Sequence, residues 1–234
     1  MTKKALLAVA AALIAAAPAV SHADVAFNVG AFSDYRYRGI SQTRLKPAVQ
    51  GGVDYSNGPF YVGAWASTIK WVKDGGGDSD IELDLYGGYK GEITKGLGYD
   101  VGLLAYMYPS NKLPTSADTT EIYGALTFGP ATAKYSHSVT NLFGFPDSKN
   151  SGYFDLSATF DLGDGWLVTP HVGRQTVKNT SAASYTDASI TVAKDFSGLL
   201  VSLAAVDART GAYYGPGNKD LGKRSLVLGV KYNF

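Results

Sequence analysis

Three histidines, His22, His137 and His171, are the whole supply of imidazole, and the chain has no cysteine. Thiol nucleophiles, disulfides and thiolate metal sites are thereby excluded. Outside the N-terminal segment that holds Ser21-His22, the one place where a hydroxyl nucleophile adjoins an imidazole is Ser136-His137-Ser138. Acyl cleavage needs a serine within reach of the imidazole and a third group to orient the ring. In an extended chain His137 shares a face with Ala133, Tyr135 and Val139, while both serines point to the other face. Neither serine can readily meet His137 within one strand, and an outward, interfacial histidine is the simpler reading. His171 has no His, Asp or Glu partner on its own strand, so neither a metal nor any other cofactor is expected. Gly75-Gly76-Gly77 reads as a flexible loop tip, not as a nucleotide motif.

What remains is charge in a pattern, and the pattern has period two. Val25, Phe27, Val29 and Ala31 oppose Asn28 and Gly30. Ile81, Leu83 and Leu85 oppose Glu82, Asp84 and Tyr86, and Leu226, Leu228, Val230, Tyr232 and Phe234 oppose Ser225, Gly229, Lys231 and Asn233. Alternation of this kind marks strands with one apolar and one polar face. About twelve are expected, at 25–38, 48–55, 60–69, 80–90, 97–108, 119–128, 131–140, 152–161, 166–177, 185–196, 199–208 and 225–234. Most approach the roughly ten residues with which a tilted strand crosses a bilayer. In 60–69, Trp65 and Ile69 lie opposite Phe60, Val62 and Ala64, which calls for a bulge or an apolar patch on the inner face. In 166–177 the alternation is poor, and either His171 or Arg174 faces inward.

Connections alternate in length. Asn57-Gly58-Pro59, Gly129-Pro130, Gly163-Asp164-Gly165 and Ser197-Gly198 are tight-turn sequences, and the turn around 91–96 is slightly longer. Longer polar loops lie between them, at 39–47, 70–79, 109–118, 141–151, 178–184 and 209–224; of these, 70–79 and 209–224 read as mobile. Tyr55, Phe60, Tyr89, Tyr99, Phe128, Phe160, Trp166, Phe196, Tyr232 and Phe234 all fall near a short turn or the C-terminus. That gathers them into an aromatic girdle on the short-turn side. A soluble sandwich would scatter its aromatics through a core instead.

The N-terminus reads as a secretory leader: Lys3 and Lys4, an apolar run from Ala5 to Val20, then Ser21-His22-Ala23 with small residues where a signal peptidase inspects. Residues 1–23 are expected to be cleaved, leaving 24–234 as one domain. No other stretch is long and apolar enough for a membrane helix. The net charge of +1 points away from nucleic acid. With 28 glycines and 16 tyrosines against two methionines, the composition suits tight turns, tilted strands and interfacial rings.

A sheet with a fully apolar outer face leaves no partner in hydrocarbon for its edges, so it must close. The expected fold is all-β: a closed antiparallel transmembrane β-barrel of about twelve strands, with short periplasmic turns and longer extracellular loops. Strand 25–38 would pair with 225–234. The inward parity would carry Arg36, Arg38, Asp54, Glu82, Asp84, Asp100, Glu121, Lys134, Asp155, Asp187 and Lys231. Arg36 and Arg38 either form a basic lumen patch that attracts anions, or pair with acidic groups across the wall or bind lipid phosphate.

The stretches NVGAFSDYRYRGISQT (28–43) and PAVQGGVDYSNGPFYVGAWAS (47–67) resemble the TorF family of porin-like proteins, also known as the Gcw_chp family. ELDLYGGYKG (82–91), GLGYDVGLLAYMYP (96–109) and TEIYGALTFGPATAKYSHS (120–138) are similar to it as well. The resemblance implies a bacterial outer-membrane barrel with a porin label and brings no catalytic or substrate-binding residue with it. Its terminal strand, ending in Phe234, resembles the signal read by the outer-membrane assembly machinery. The other partners expected are outer-membrane lipid, lipopolysaccharide and small solutes. Three functions stay open: a passive channel for small hydrophilic solutes, a structural or surface-interaction barrel, and a lipid-modifying enzyme.

Overall fold

A computed structural model describes residues 23–234. The expected leader, save Ala23, lies outside the described residues. The strands are β1 (Asp24–Phe32), β2 (Ala48–Asn57), β3 (Phe60–Thr68), β4 (Ile81–Thr94), β5 (Leu97–Met107) and β6 (Thr119–Phe128). They continue with β7 (Ala131–Ser138), β8 (Gly152–Ala158, resumed at Phe160–Gly163), β9 (Trp166–Thr176), β10 (Tyr185–Phe196), β11 (Leu199–Arg209) and β12 (Ser225–Asn233). Each runs antiparallel to its chain neighbours, and β12 pairs with β1 from Phe32↔Gly229 to Asn28↔Asn233. Phe27 and Phe234 then exchange backbone hydrogen bonds at 2.7 and 3.0 Å, so the twelve-strand sheet has no free edge.

The two-residue period appears as lipid-side exposure. Phe27, Val62, Leu85, Leu103, Leu126, Leu156, Ile190, Leu203 and Leu228 all stand on the exposed face. At roughly 25 cal/mol per Å² of apolar surface, a band of this extent is untenable in water and is satisfied by hydrocarbon. The short connections are two-residue turns. Asp164 and Gly165 both have positive φ (50° and 78°), the geometry that matches the twist of the flanking strands. The turn expected around 91–96 is equally short, because β4 runs on to Thr94 through a bulge between Glu92 and Thr94. The aromatics Phe60 and Tyr89 (4.9 Å between centroids), Tyr89 and Tyr99 (6.1 Å), and Tyr232 and Phe234 (5.6 Å) pack against one another at this end.

Inside the wall, several rings lie flat across a glycine of the adjacent strand. A Cβ at Gly88 would stand 2.4 Å from the Tyr61 hydroxyl, one at Gly102 2.6 Å from that of Tyr123, and one at Gly229 2.5 Å from the Phe32 ring. Part of the glycine and tyrosine enrichment is therefore a wall-lining device rather than turn chemistry.

The first strand is shorter than the expected 25–38. It stops at Phe32, and residues 33–47 turn into the barrel. Arg36–Tyr37 and Ile40–Ser41 form a miniature ladder around Arg38 and Gly39, whose φ values are 46° and 79°. A side chain at Gly39 would collide with Asp187 and Ala208 at 2.7 and 2.9 Å. The apolar patch required by Trp65 and Ile69 follows directly. β2–β3–β4 pair without a bulge there, and Tyr35 packs edge-on against Trp65 at 5.5 Å. Ile69, Val72, Tyr106, Tyr108 and Ala117 complete this buried cluster.

The loops expected to be mobile are built into this end. Residues Trp71–Asp74 form one helical turn (α1) that buries Val72. Gly77 N–H donates to Val72 O and Asp78 N–H to Asn111 O, each at 2.9 Å. Outside the membrane span, hydrogen bonds from Lys112 to Asp78 and from Lys73 to Asp80 hold both carboxyls below their ordinary range. Segment 209–224 carries a second small ladder, Tyr214–Gly215 with Lys219–Asp220, and buries Leu221 beside Ile40 and Tyr185.

Candidate functional site

The lumen has two zones. In the loop-side zone the hairpin 33–47 crosses from β1 to the opposite wall. Arg38 forms a two-pronged pair with Glu121 on β6, at 2.6 and 3.0 Å, and donates to the Gln175 side chain on β9 at 2.7 Å. Its guanidinium also stacks on Tyr37 and Tyr153, 4.8 and 4.3 Å from the ring centroids. Both side chains of the ion pair are almost fully enclosed, at 7% and 1% exposure. Such a pair contributes little net stability against its desolvation, but it fixes position, because moving Arg38 would strand a buried Glu121. Arg36 is held separately by Asp34 at 2.5 Å, by the carbonyls of Gly39 and Leu221 at 2.7 and 2.9 Å, and by Ser225. The two arginines are thus structural ties and present no joint anion patch. Glu82 accepts a hydrogen bond from Tyr35 at 2.7 Å. Asp84, two residues along β4, keeps one carboxylate oxygen buried without a partner.

Beyond the hairpin the inner face is hydroxyl- and charge-rich. Tyr61 on β3 donates to Asp100 on β5 at 2.6 Å and contacts the Tyr123 hydroxyl on β6. Lys134 on β7 sits 3.9 Å over the Tyr123 ring, and Lys90 on β4 lies 5.5 Å from the Tyr61 ring centroid. Tyr86 donates to Asp54 at 2.5 Å. Lys231 of β12 lies in register with Gly30 of β1, on the face opposite Val230 and Tyr232. Around the wall, His171 on β9 meets Asp155 on β8 at 2.7 Å and Asp187 on β10 at 3.6 Å, and the Tyr153 hydroxyl donates to Asp187. His171 therefore faces inward and Arg174 outward. The absence of an acidic partner on its own strand says little about His171, because its partners come from the strands on either side. No group of His, Asp and Glu among the described residues is arranged to hold a metal ion.

Alternation places the inward aspartates, glutamates and lysines. It puts Tyr86 and Lys90 on the parity of Glu82 and Asp84, leaves His171 and Arg174 as alternatives, and does not single out Tyr61, Tyr123 or Tyr153. Tyr61, Tyr86 and Tyr123 are each registered across from a glycine, at Gly88, Gly63 and Gly102, and that pairing is visible only once the register is known. At Ser136-His137-Ser138, both serines are buried toward the lumen. His137, on the other face, is 3.1 Å from the Asn150 side chain.

Solved porins share this fold. The chain aligns over 92% of its length with 99% of a KdgM porin in complex with disordered oligogalacturonate, at a TM-score of 0.59 and 6% identity. It aligns over 89% of its length with 99% of the NanC porin, at a TM-score of 0.58 and 13% identity. No curated relative matches the chain. A family model described as a bacterial protein of unknown function matches residues 16–234, and on that match the chain belongs to the Gcw_chp family.

Proposed function

We propose that this barrel is a porin-like channel of a bacterial outer membrane, the role that the TorF name implies, passing small hydrophilic solutes by diffusion. The observation that carries this reading is the inner surface beyond the hairpin. Asp54, Tyr61, Tyr86, Lys90, Asp100, Tyr123, Lys134 and His171 line a wall wider than the roughly eight strands whose side chains fill a barrel. A purely structural barrel has no need of such a surface, and charge left partly exposed at Asp54, Lys90, Lys134 and His171 is what a water-filled path tolerates. Over the whole inner wall the carboxylates Asp54, Glu82, Asp84, Asp100, Asp155 and Asp187 outnumber Lys90, Lys134, Lys231 and His171, and Arg38 is neutralised by Glu121. An acidic sugar chain such as the oligogalacturonate of the KdgM complex would be repelled, so neutral or cationic solutes are the favoured class.

Catalysis is not part of this reading, because the seryl hydroxyls and His137 lie on opposite faces of β7. The alternative is a structural or surface-interaction barrel without an open pore, and the hairpin across the loop-side lumen favours it. Liposome swelling separates the two. Vesicles carrying the refolded barrel should swell in an isotonic neutral sugar of low mass and more slowly in a uronic acid of similar size. Swelling rates equal to those of empty vesicles in both would leave only the structural reading.

Lipid contact through the apolar band, and docking of β12 with its Leu226-to-Phe234 face onto the assembly machinery, are the partners proposed.

A further inference from the structure

The outward wall is uneven in charge. On β1 to β8 no lysine or arginine occupies the outward parity among the described residues. On the adjoining sector the outward positions at the loop-side ends are Arg174 on β9, Arg209 on β11 and Arg224 at the entry to β12. Arg174, Thr186 and Arg209 stand in one cross-strand row, since Arg174 registers with Thr186 and Thr186 with Arg209. Arg174 donates to the Thr186 hydroxyl at 3.1 Å. Asp207 meets Arg224 at 3.2 Å and Arg209 at 3.9 Å. One carboxylate thus orients two guanidiniums and leaves a surplus of positive charge. The side chains of Arg209 and Arg224 are 85% and 77% exposed.

Between Arg174 and Arg209 lies a depression of about 410 Å³, lined also by Thr186, Asp187, Ala188 and Asp207, with the Asp187 carboxylate turned to His171 on the lumen side and Arg224 joined to its edge through Asp207. Toward the turns, past the row of Val172, Ala188 and Asp207, the outward row becomes Pro170, Ile190, Ala205 and Leu226 in mutual register, and the next is Val168, Val192, Leu203 and Leu228. A basic dish therefore opens directly onto an apolar wall. Guanidinium forks match phosphate oxygens with paired, charge-assisted hydrogen bonds. A ligand that used both zones would carry a phosphate and an acyl chain.

We propose that Arg174, Arg209 and Arg224 form a binding site for a phosphorylated amphiphile, a lipid whose phosphate sits in the dish and whose acyl chain runs down over Ile190 and Leu226. The site is on the outer wall and does not depend on whether the lumen conducts.

Native mass spectrometry of the refolded full barrel in detergent tests it, with diphosphorylated lipid A and its enzymatically dephosphorylated counterpart as probes. The wild-type barrel should retain the phosphorylated lipid and not the dephosphorylated one. Arg174→Gln/Arg209→Gln/Arg224→Gln should lower retention by about tenfold or more, as expected for losing several charge-assisted contacts. A charge-matched control, Lys46→Gln/Lys70→Gln/Lys149→Gln, should leave it unchanged. The single variant Arg209→Gln, at a highly exposed position, gives a second reading if the triple variant folds poorly. Equal retention of both lipids, or equal loss in the control, would overturn the proposal. Saturable binding of inorganic phosphate alone, at the affinity seen for the lipid, would assign the site to a free anion and overturn the lipid.

Discussion

Arg38 enters the lumen on a turn closed by Gly39, where Asp187 and Ala208 leave no room for a β-carbon. Its partner Glu121 is 1% exposed, so removing the guanidinium leaves a buried carboxylate uncompensated. Arg38→Met should cost the docked hairpin about 3–5 kcal/mol. The readout is trypsin cleavage at Arg36 and Arg44 in the folded barrel, which should speed up markedly; cleavage as slow as in the wild type would show that the pair does not hold the hairpin in place. The pairing of Arg36 and Arg38 with acidic groups was one of two readings open from sequence. Residue order alone cannot choose between them, because Asp34 is two positions away while Glu121 arrives from the far wall.

At the scale of elements, the strands are legible because hydrocarbon on one side and polar groups on the other impose an unbroken period of two. The tight turns are legible because Gly-Pro, Asp-Gly and Ser-Gly each supply the backbone geometry a two-residue link needs. Leu228→Arg and Val230→Arg should each cost about 2–4 kcal/mol near midplane. Urea titration of the refolded barrel measures this, and wild-type midpoints for both would contradict the inside–outside assignment of β12. What alternation hides is the end of β1. Tyr35 and Tyr37 continue the parity of Val29 and Ala31, yet they belong to a segment that has left the sheet to pack on Trp65, Tyr106 and Phe143. The same blindness covers 70–79. Three consecutive glycines suggest a loose tip, whereas Gly77 is required there because a side chain would strike Asn111 O at 2.1 Å. His171 shows the converse limit: its partners Asp155 and Asp187 lie on adjacent strands and become visible only once the register is known.

For the whole molecule, closure of twelve strands sets a circumference larger than side chains alone would fill, and the chain spends that space unequally. The loop-side half is packed with its own hairpin and three apolar clusters. The turn-side half keeps tyrosines flat against glycines and leaves Asp54, Lys90 and Lys134 partly exposed. In the proposed channel this asymmetry gives a narrowed mouth and a polar vestibule, and the excess of carboxylates on the inner wall is expected to set the sign of its selectivity. Single-channel recording of the refolded barrel in a planar bilayer, under a salt gradient, tests this most directly. The account predicts discrete, salt-dependent conductance steps with a reversal potential displaced toward cations. A demonstrably folded barrel that gives no steps would contradict it.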